Sequence, residues 1–326
     1  MKYMGTLYID KKDMEVRLDS GAIAFYSNGV RDGIAPIKPL KRVVISSNVL
    51  IETTLLGKLA EENITVVFLS GKQGRFRGIL NGRLHNNGIL RLKQYEKAIS
   101  SFCQKWSKKI VIKKLSEQRD LLKEAVDMRT DLRYELTKAT TSLEEIIISI
   151  NTEEDINCDR LRGFEGGAGT VYFSAYTSLF PESLNFKRIE RRPPPDPVNA
   201  LLSLVYTLIH YEAVREIETI GFDPTIGFYH SFEYGRASLA CDIIEPLRPE
   251  VDKWVWRLFA ERTFRERDFA IGDERPGCYL KKESRKRFYP LYEEWAADIR
   301  ASLNEDVRCL AKEITDGEFK EDSLSE

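Results

Sequence analysis

Short apolar runs, broken by Asp, Gly and Asn, occupy about the first 85 residues of the chain. Several of them alternate apolar with polar residues or are rich in β-branched side chains, which is typical of strands. The predicted strands are Thr6–Ile9, Glu15–Leu18, Ala22–Tyr26, Lys41–Ile45, Ile64–Leu69 and Phe76–Leu80. Leu50, Leu55, Leu56 and Leu59 lie at helical spacing, so one helix is predicted over Asn48–Glu61.

From about Gln94 onward, the apolar positions recur at the spacing of amphipathic helices. The predicted helices are Tyr95–Ser116, Ser116–Thr137, Leu143–Asn151, Cys158–Phe180 and Val198–Ile220, with others around 239–247, 250–267 and 288–312. We therefore predict an α+β fold with a small N-terminal β-rich domain over residues 1–85. A linker over 86–94 and a larger all-α catalytic domain over 95–326 follow it.

Composition narrows the class of protein. The length of 326 residues fits two domains, and no run of about 18 apolar residues predicts a membrane helix. The first ten residues reach an acid, Asp10, too early for a secretory signal. Five widely spaced cysteines without a CxxC pair argue against a zinc site and for a reducing compartment. We expect a cytoplasmic protein.

The formal net charge is only −1, but basic residues cluster locally. One cluster is Lys105, Lys108, Lys109, Lys113 and Lys114, and another is Lys281, Lys282, Arg285, Lys286 and Arg287. Such clusters indicate local patches that bind nucleic acid, or else solvated helix faces without a ligand.

Four acid or imidazole side chains stand out in the second half of the chain: Glu165, His230, Asp242 and Glu245. Carboxylates with an imidazole are suited to a divalent ion that acts on phosphates. Asp242 and Glu245 are three residues apart, so a helix would present both to one ion. They lie in an apolar stretch, where a carboxylate needs a partner. Ion pairs with Arg236 and Arg248 are the alternative to a metal ion.

Glu165 and His230 are less specific when each is taken alone. Glu165 lies in the Gly-rich segment Arg162–Gly169, whose small residues admit a phosphate or another backbone. Tight helix packing with Glu165 at the surface is the alternative. His230 follows a loop that contains Gly and Pro, and a lone histidine after aromatic residues is more often a core or capping residue than a ligand.

Arginines lie near these acids in the sequence, and they favour an enzyme site over the alternatives. They are Arg188, Arg191, Arg192, Arg236 and Arg248. Because arginine binds phosphate oxygens and stabilises charge in phosphoryl transfer, the combination favours a metal-dependent phosphodiester enzyme. A small-molecule phosphohydrolase is disfavoured, since the sequence has no GxxxxGK[ST] loop.

Four segments resemble the signature blocks of the CRISPR spacer-acquisition integrases, the Cas-one family. The segments are Leu161–Phe173, Arg191–Ser203, Gly227–His230 and Gly235–Pro249. Their order and approximate separations agree with the family. The resemblance covers the whole chain, with most of its specificity in 161–249, and the family also has a small β domain ahead of an α-helical catalytic domain.

The resemblance implies a site for Mg²⁺ or Mn²⁺ formed by Glu165, His230 and Glu245. Asp242 matches a nearby acidic position and Arg248 a nearby basic one, which completes the expected catalytic set. Basic side chains are expected to bind DNA: Arg162, Arg188, Arg191, Arg192, Arg236, Lys281, Lys282 and Arg285.

The activity that the resemblance implies is a transesterification, in which the 3′-hydroxyl of a short DNA fragment is joined to the CRISPR repeat. The implied partners are double-stranded DNA fragments, the repeat, a second copy of the chain bound through its β domain, and the small protein Cas-two. Two alternatives remain open: a metal-dependent nuclease that resolves branched DNA in repair or recombination, and a non-catalytic DNA-binding scaffold.

Overall fold

The structure, a computed structural model, describes residues 5–70, 75–82, 87–190, 193–272 and 276–316. The strands are β1 (Thr6–Ile9), β2 (Glu15–Asp19), β3 (Ala22–Ser27), β4 (Val30–Pro36), β5 (Arg42–Ile45), β6 (Leu50–Ile51), β7 (Thr65–Ser70), β8 (Arg75–Leu80), β9 (Phe269–Ile271) and β10 (Cys278–Leu280). The α-helices are α1 (Thr53–Glu61), α2 (Gly88–Ala98), α3 (Phe102–Met128), α4 (Arg133–Thr152), α5 (Cys158–Ser178), α6 (Pro197–Ile220), α7 (Ser238–Ile244), α8 (Arg248–Ala260) and α9 (Lys282–Ile314). The predicted α+β class is confirmed.

Contacts divide the chain into two compact units. One contains Met1–His85 and Tyr289–Trp295, and the other contains Asn86–Phe288 and Ala296–Glu326. The dimerisation, linker and catalytic roles assigned to parts of the chain stay predictions.

The described residues of the first unit form two four-stranded sheets. One has the order β1-β5-β7-β8, in which only the β7–β8 pair is antiparallel. The other has the order β4-β3-β2-β6, with antiparallel pairs except for parallel β2 and β6. Val16, Ile23, Val43, Leu55 and Val66 are all buried in one core, so both sheets and α1 share it.

One piece of the last helix belongs to this unit. The Glu293 carboxylate accepts hydrogen bonds from Thr6 Oγ1 at 3.0 Å and Tyr8 Oη at 2.7 Å. The Tyr8 ring stacks on Tyr289 with the ring centroids 3.9 Å apart. Polar and aromatic contacts therefore attach this helical segment to β1.

The second unit is mainly helical. The long α3 packs against α4, α5 and α8, and α6 packs against α7 and α8. Val198, Leu201, Val205 and Ile209 of α6 are fully buried, as the apolar pattern of this helix predicts. Within the described ranges, no helix is long and apolar enough to cross a membrane.

Several predicted boundaries differ from the structure. The helix expected from Asn48 begins only at Thr53, because Leu50 and Ile51 pair with β2 as strand β6. No helix boundary occurs at Ser116, because α3 continues through it without a Gly or Pro to interrupt it.

Three further segments have a secondary structure that differs from the predicted one. Most of the expected linker is α2, whose first turn is capped by Asn87 Oδ1 accepting from the Leu90 amide at 3.0 Å. Strand β4 extends the second sheet beyond β3. The short antiparallel pair β9–β10 lies within the region expected to be all-α.

Candidate active site

Two carboxylates from distant parts of the second unit converge on one ammonium group. Glu165 lies on α5, Glu245 opens the 3₁₀ turn Glu245–Leu247, and Lys114 lies on α3. Lys114 Nζ donates to Glu245 Oε2 at 2.6 Å and to Glu165 Oε1. The Lys114, Glu165 and Glu245 side chains are 14%, 22% and 6% exposed. The cluster is therefore largely shielded from water.

Opposite charges set the protonation of this cluster. Burial alone would raise the pKa of Glu245, but the nearby Arg248 and Lys114 cations hold that pKa well below its usual range. Burial alone would lower the pKa of Lys114, whereas Glu245 and Glu165 raise it above the ordinary value. Glu245 is therefore ionised and Lys114 protonated at neutral pH.

His230 faces the same cluster and is oriented from behind by Asp242. The fully buried Asp242 has Oδ1 2.6 Å from His230 Nδ1. The same carboxylate accepts from the backbone amides of Phe228 at 2.6 Å, Tyr229 at 3.0 Å and His230 at 2.9 Å. The opposite ring atom, His230 Nε2, lies 3.9 Å from Glu245 Oε1. Asp242 thus fixes both the loop and the imidazole ring.

Gly227 allows this close approach of the loop to α7. A Cβ atom at that position would lie 2.7 Å from Asp242 Oδ2 and 2.9 Å from the carbonyl carbon of Ser238.

The three-residue spacing of Asp242 and Glu245 does not direct both carboxylates to one point. Asp242 turns to the loop amides, and Glu245 turns to Lys114 and Arg248.

Arg248 joins the cluster to a buried tyrosine network. Its Nε donates to Glu245 Oε1 at 2.7 Å, and its guanidinium lies over the Tyr206 ring at 4.9 Å from the centroid. Its Nη1 is buried and has no hydrogen-bond partner among the described residues. Tyr206 and Tyr172 both donate to the buried carboxylate of Asp252, Tyr172 at 2.8 Å. These contacts hold the guanidinium in one orientation.

Tyr229 and Arg162 border Glu165 on its other side. The Tyr229 hydroxyl donates to Glu165 Oε2. Burial and the neighbouring Glu165 carboxylate raise the pKa of Tyr229, so the hydroxyl stays protonated. Arg162 Nη2 donates to the Tyr229 carbonyl at 3.0 Å, and Nη1 pairs with Asp159 at 2.7 Å. Lys114 thus donates to one Glu165 carboxylate oxygen and Tyr229 to the other.

The glycines around Glu165 do not serve close helix packing. A Cβ atom at any of four positions would meet no heavy atom of the described residues within 4 Å outside the local helix backbone. These positions are Gly163, Gly166, Gly167 and Gly169. Space is therefore open on this part of α5, next to a carboxylate.

The donor chemistry of the cluster fits a divalent cation. Two carboxylate oxygens already point at one cationic atom, and His230 presents Nε2 while Nδ1 is held by a carboxylate, the usual arrangement of a metal-binding imidazole. As the side chains stand, no three His, Cys, Asp or Glu residues of the described ranges form a ready-made ligand group. The ammonium nitrogen of Lys114 lies between the Glu165 and Glu245 carboxylates, where a shared divalent ion would bind.

The predicted DNA-binding residues fall into separate groups. Arg162 lies at the candidate site, whereas Arg236 pairs with Glu233 at 3.0 Å and Arg188 pairs with Glu190. Arg191 and Arg192 lie outside the described residues. Lys281, Lys282 and Arg285 lie at the start of α9, where Lys281 donates to the Arg267 carbonyl at 2.8 Å.

Sequence reasoning did not single out three members of the site: Lys114, Tyr229 and Asp252. Lys114 was one of five lysines in a basic cluster, and only contacts between distant helices distinguish it from the others. Tyr229 directly precedes His230, so its position in a signature block was the available signal.

Comparison with known proteins gives concordant results. The model of the family described as "CRISPR associated protein Cas1" matches residues 7–294. A protein of Thermodesulfovibrio yellowstonii named "CRISPR-associated endonuclease Cas1 1" is 50% identical over 311 residues, which cover 95% of this chain and 97% of that protein. A solved CAS1 protein from Thermotoga maritima is similar with a TM-score of 0.79 and 24% identity, over 96% of this chain and 97% of that one. A casposase bound to integration product has a TM-score of 0.79 and 18% identity, over 98% and 93% of the two chains, and shares the fold.

Proposed function

The chain belongs to the CRISPR-associated Cas1 family, and we propose that it is a metal-dependent DNA integrase and endonuclease of CRISPR adaptation. In the proposed reaction, the 3′-hydroxyl of a short DNA fragment attacks a phosphodiester at the edge of the repeat. The new P–O bond replaces the old one, the attacking hydroxyl loses its proton, and the departing 3′-oxygen gains one. Water in place of the fragment hydroxyl gives endonuclease cleavage.

The observation that carries this proposal is the convergence of Glu165 and Glu245 on one cationic atom beside His230. These three side chains would hold Mg²⁺ or Mn²⁺, and an imidazole ligand favours the transition metal. The bound ion would polarise the phosphoryl oxygen and favour the ionised form of the attacking hydroxyl.

Asp242 acts through His230 in this proposal. A carboxylate 2.6 Å from Nδ1 keeps the proton on that nitrogen and leaves the lone pair of Nε2 facing Glu245. The three loop amides bound by Asp242 fix the ring relative to α7. We therefore assign Asp242 a positioning role and the direct ligand roles to the other three residues.

Arg248 would stabilise the negative charge that develops on the phosphoryl group. Glu245 and the Tyr206 ring hold the guanidinium in place, so little reorganisation is needed when charge appears. The buried Nη1 retains hydrogen-bond capacity, since it has no partner among the described residues.

The open surface beside Glu165 gives the DNA backbone room to approach. Arg162 lies at this edge, and the other basic candidates would bind phosphates farther along the duplex. They are Arg188, Arg191, Arg192, Arg236, Lys281, Lys282 and Arg285. Because such binding is electrostatic, the affinity for DNA should fall steeply as salt concentration rises.

Family membership also underlies the proposed assembly. Integration at both ends of a repeat needs two active sites, and a homodimer formed through the β-rich region would supply them by symmetry. The small partner Cas-two would join two such dimers. We place this assembly in the cytoplasm, with DNA as its substrate.

The decisive experiment offers the purified protein a labelled DNA fragment and a supercoiled plasmid that carries a repeat, with Mn²⁺ or EDTA. The proposal predicts Mn²⁺-dependent joining of the label to the plasmid, lost in Glu165→Ala, His230→Ala and Glu245→Ala. Adding the candidate partner tests whether Cas-two is needed.

The same assay separates the two alternatives. Cleavage of branched DNA without joining, with or without the partner, would support a repair or recombination nuclease instead. Joining that survives all three substitutions would contradict the assigned site, and retained DNA binding without any reaction would support a non-catalytic scaffold.

A further inference from the structure

The ammonium group of Lys114 occupies the point on which the two acidic ligands converge. We propose that Lys114 is a resident counter-cation, which holds Glu165 and Glu245 convergent before a divalent ion binds and must withdraw when it does. This inference rests on the proposed function, since it concerns the same metal site. It assigns Lys114 a positioning role that opposes metal binding.

The position and charge of the Lys114 ammonium group support this inference. Lys114 Nζ is 2.6 Å from Glu245 Oε2 and also bonded to Glu165 Oε1. A divalent ion that bound the same oxygens would lie beside this positive nitrogen in a mostly buried cluster, where repulsion is strong. Both cations therefore cannot use these oxygens at once.

Lys114 also solves a problem of the metal-free protein. Without it, the Glu165 and Glu245 carboxylates would face each other in a shielded place, and among the cations of the described residues Arg248 is the one whose ion pair with this acid pair is seen, through Glu245 Oε1 at 2.7 Å. An uncompensated charge in such a place is costly. The four-carbon lysine stem is flexible, so the ammonium group can withdraw without moving α3.

The two possible roles of Lys114 predict opposite signs for metal affinity. If Lys114 competes with the ion, replacing it by a neutral residue strengthens metal binding and weakens the metal-free fold. If Lys114 only supports the fold, its loss disorders the ligands and weakens metal binding. Affinity for Mn²⁺ alone therefore separates the roles, without any measurement of DNA chemistry.

The test compares Lys114→Gln with Lys113→Gln by calorimetric titration of Mn²⁺ and by thermal unfolding in EDTA. Lys113 is the matched control, because it lies on the same helix but is 47% exposed and pairs with Asp306 at 3.3 Å. We expect Lys114→Gln to unfold at a lower temperature in EDTA and to bind Mn²⁺ about tenfold more tightly, the equivalent of one modest charge interaction. Lys113→Gln should match the wild type in both.

A second measurement uses the wild-type protein alone, so that it stands even if Lys114→Gln does not fold. Amine-reactive labelling followed by mass spectrometry should find Lys114 protected in EDTA and more reactive in saturating Mn²⁺, while Lys113 is unchanged. Unchanged labelling of Lys114, or equal or weaker Mn²⁺ binding by Lys114→Gln, overturns the inference. Absence of saturable Mn²⁺ binding that is sensitive to Glu165→Gln would instead overturn the metal site itself.

Discussion

His230 Nδ1 lies 2.6 Å from Asp242 Oδ1, and that carboxylate is completely buried. The aspartate has no exposed surface, yet it contacts the residue that presents Nε2 to Glu245. Asp242, three positions before the proposed metal ligand Glu245, therefore contacts the site from behind the imidazole.

The first prediction concerns Asp242→Asn. An amide cannot accept from all the donors that the carboxylate satisfies, and each buried donor left without a partner costs about 1–3 kcal/mol. The ring orientation of His230 is also lost, so Mn²⁺ affinity should fall about 10–100-fold. Thermal unfolding and calorimetric titration measure the two effects. Asp155→Asn, at an exposed position, is the control and should change neither.

The second prediction concerns Tyr229→Phe. The substitution removes the hydroxyl that donates to Glu165 Oε2 and keeps the ring. Because ligand carboxylates are oriented by such hydrogen bonds, we expect Mn²⁺ affinity to fall about tenfold with little loss of stability. Tyr234→Phe is the matched control, since Tyr234 is fully exposed a few residues away. Equal Mn²⁺ affinity in the two variants would contradict an orienting role for Tyr229.

The third prediction separates the ring of Tyr206 from its hydroxyl. The ring supports the Arg248 guanidinium, and the hydroxyl donates to Asp252. Tyr206→Phe should therefore keep most of the cleavage rate and lose about 1 kcal/mol of stability. Tyr206→Ala should lose cleavage and about 3 kcal/mol or more, because a buried ring and the support of Arg248 both disappear.

The same pair of variants tests a different chemistry. If the Tyr206 hydroxyl formed a covalent bond to DNA, Tyr206→Phe would be as inactive as Tyr206→Ala. Initial cleavage rates on a nicked or branched substrate, measured at a temperature where both variants are folded, distinguish the two cases.

The α+β class followed from the change in apolar period near Gln94, because periodicity reports which face of an element is buried. Where tertiary pairing decided the outcome, local pattern failed. Leu50 fits a helical spacing with Leu55, Leu56 and Leu59, yet it pairs with β2 together with Ile51. Ser116 gave no local reason for a break, and α3 has none there.

The candidate site was predicted mainly from the four segments that resemble the signature blocks of the family. Glu165, His230, Asp242 and Glu245 were selected together, and the resemblance separated Asp242 from the three expected ligands, but the contact of Asp242 with His230 was not predicted. Spacing put Asp242 and Glu245 on one helical face, whereas the 3₁₀ turn after α7 directs them apart. Lys114 could not be distinguished from its neighbours, because its role depends on helices α3 and α5 meeting in space.

The last prediction uses the pH dependence of stability at Asp252. Burial, partly offset by the Tyr206 and Tyr172 hydroxyls, raises the pKa of Asp252 from 3.8 to about 6. An acid whose pKa is raised by folding holds its proton more tightly in the folded state. Its contribution to stability is therefore present below about pH 3.8 and is lost as pH rises through about 6.

Asp252→Asn cannot ionise, so it should escape this loss. The stability of the wild type relative to this variant should fall between pH 4 and pH 7 by at most about 3 kcal/mol, which corresponds to the rise in pKa. Chemical denaturation of both proteins across this range measures the difference, with exposed Asp155→Asn as the control that should follow the wild type at every pH. A constant difference between wild type and Asp252→Asn would mean that Asp252 stays ionised, and that the cations Arg248 and Lys114 outweigh its burial.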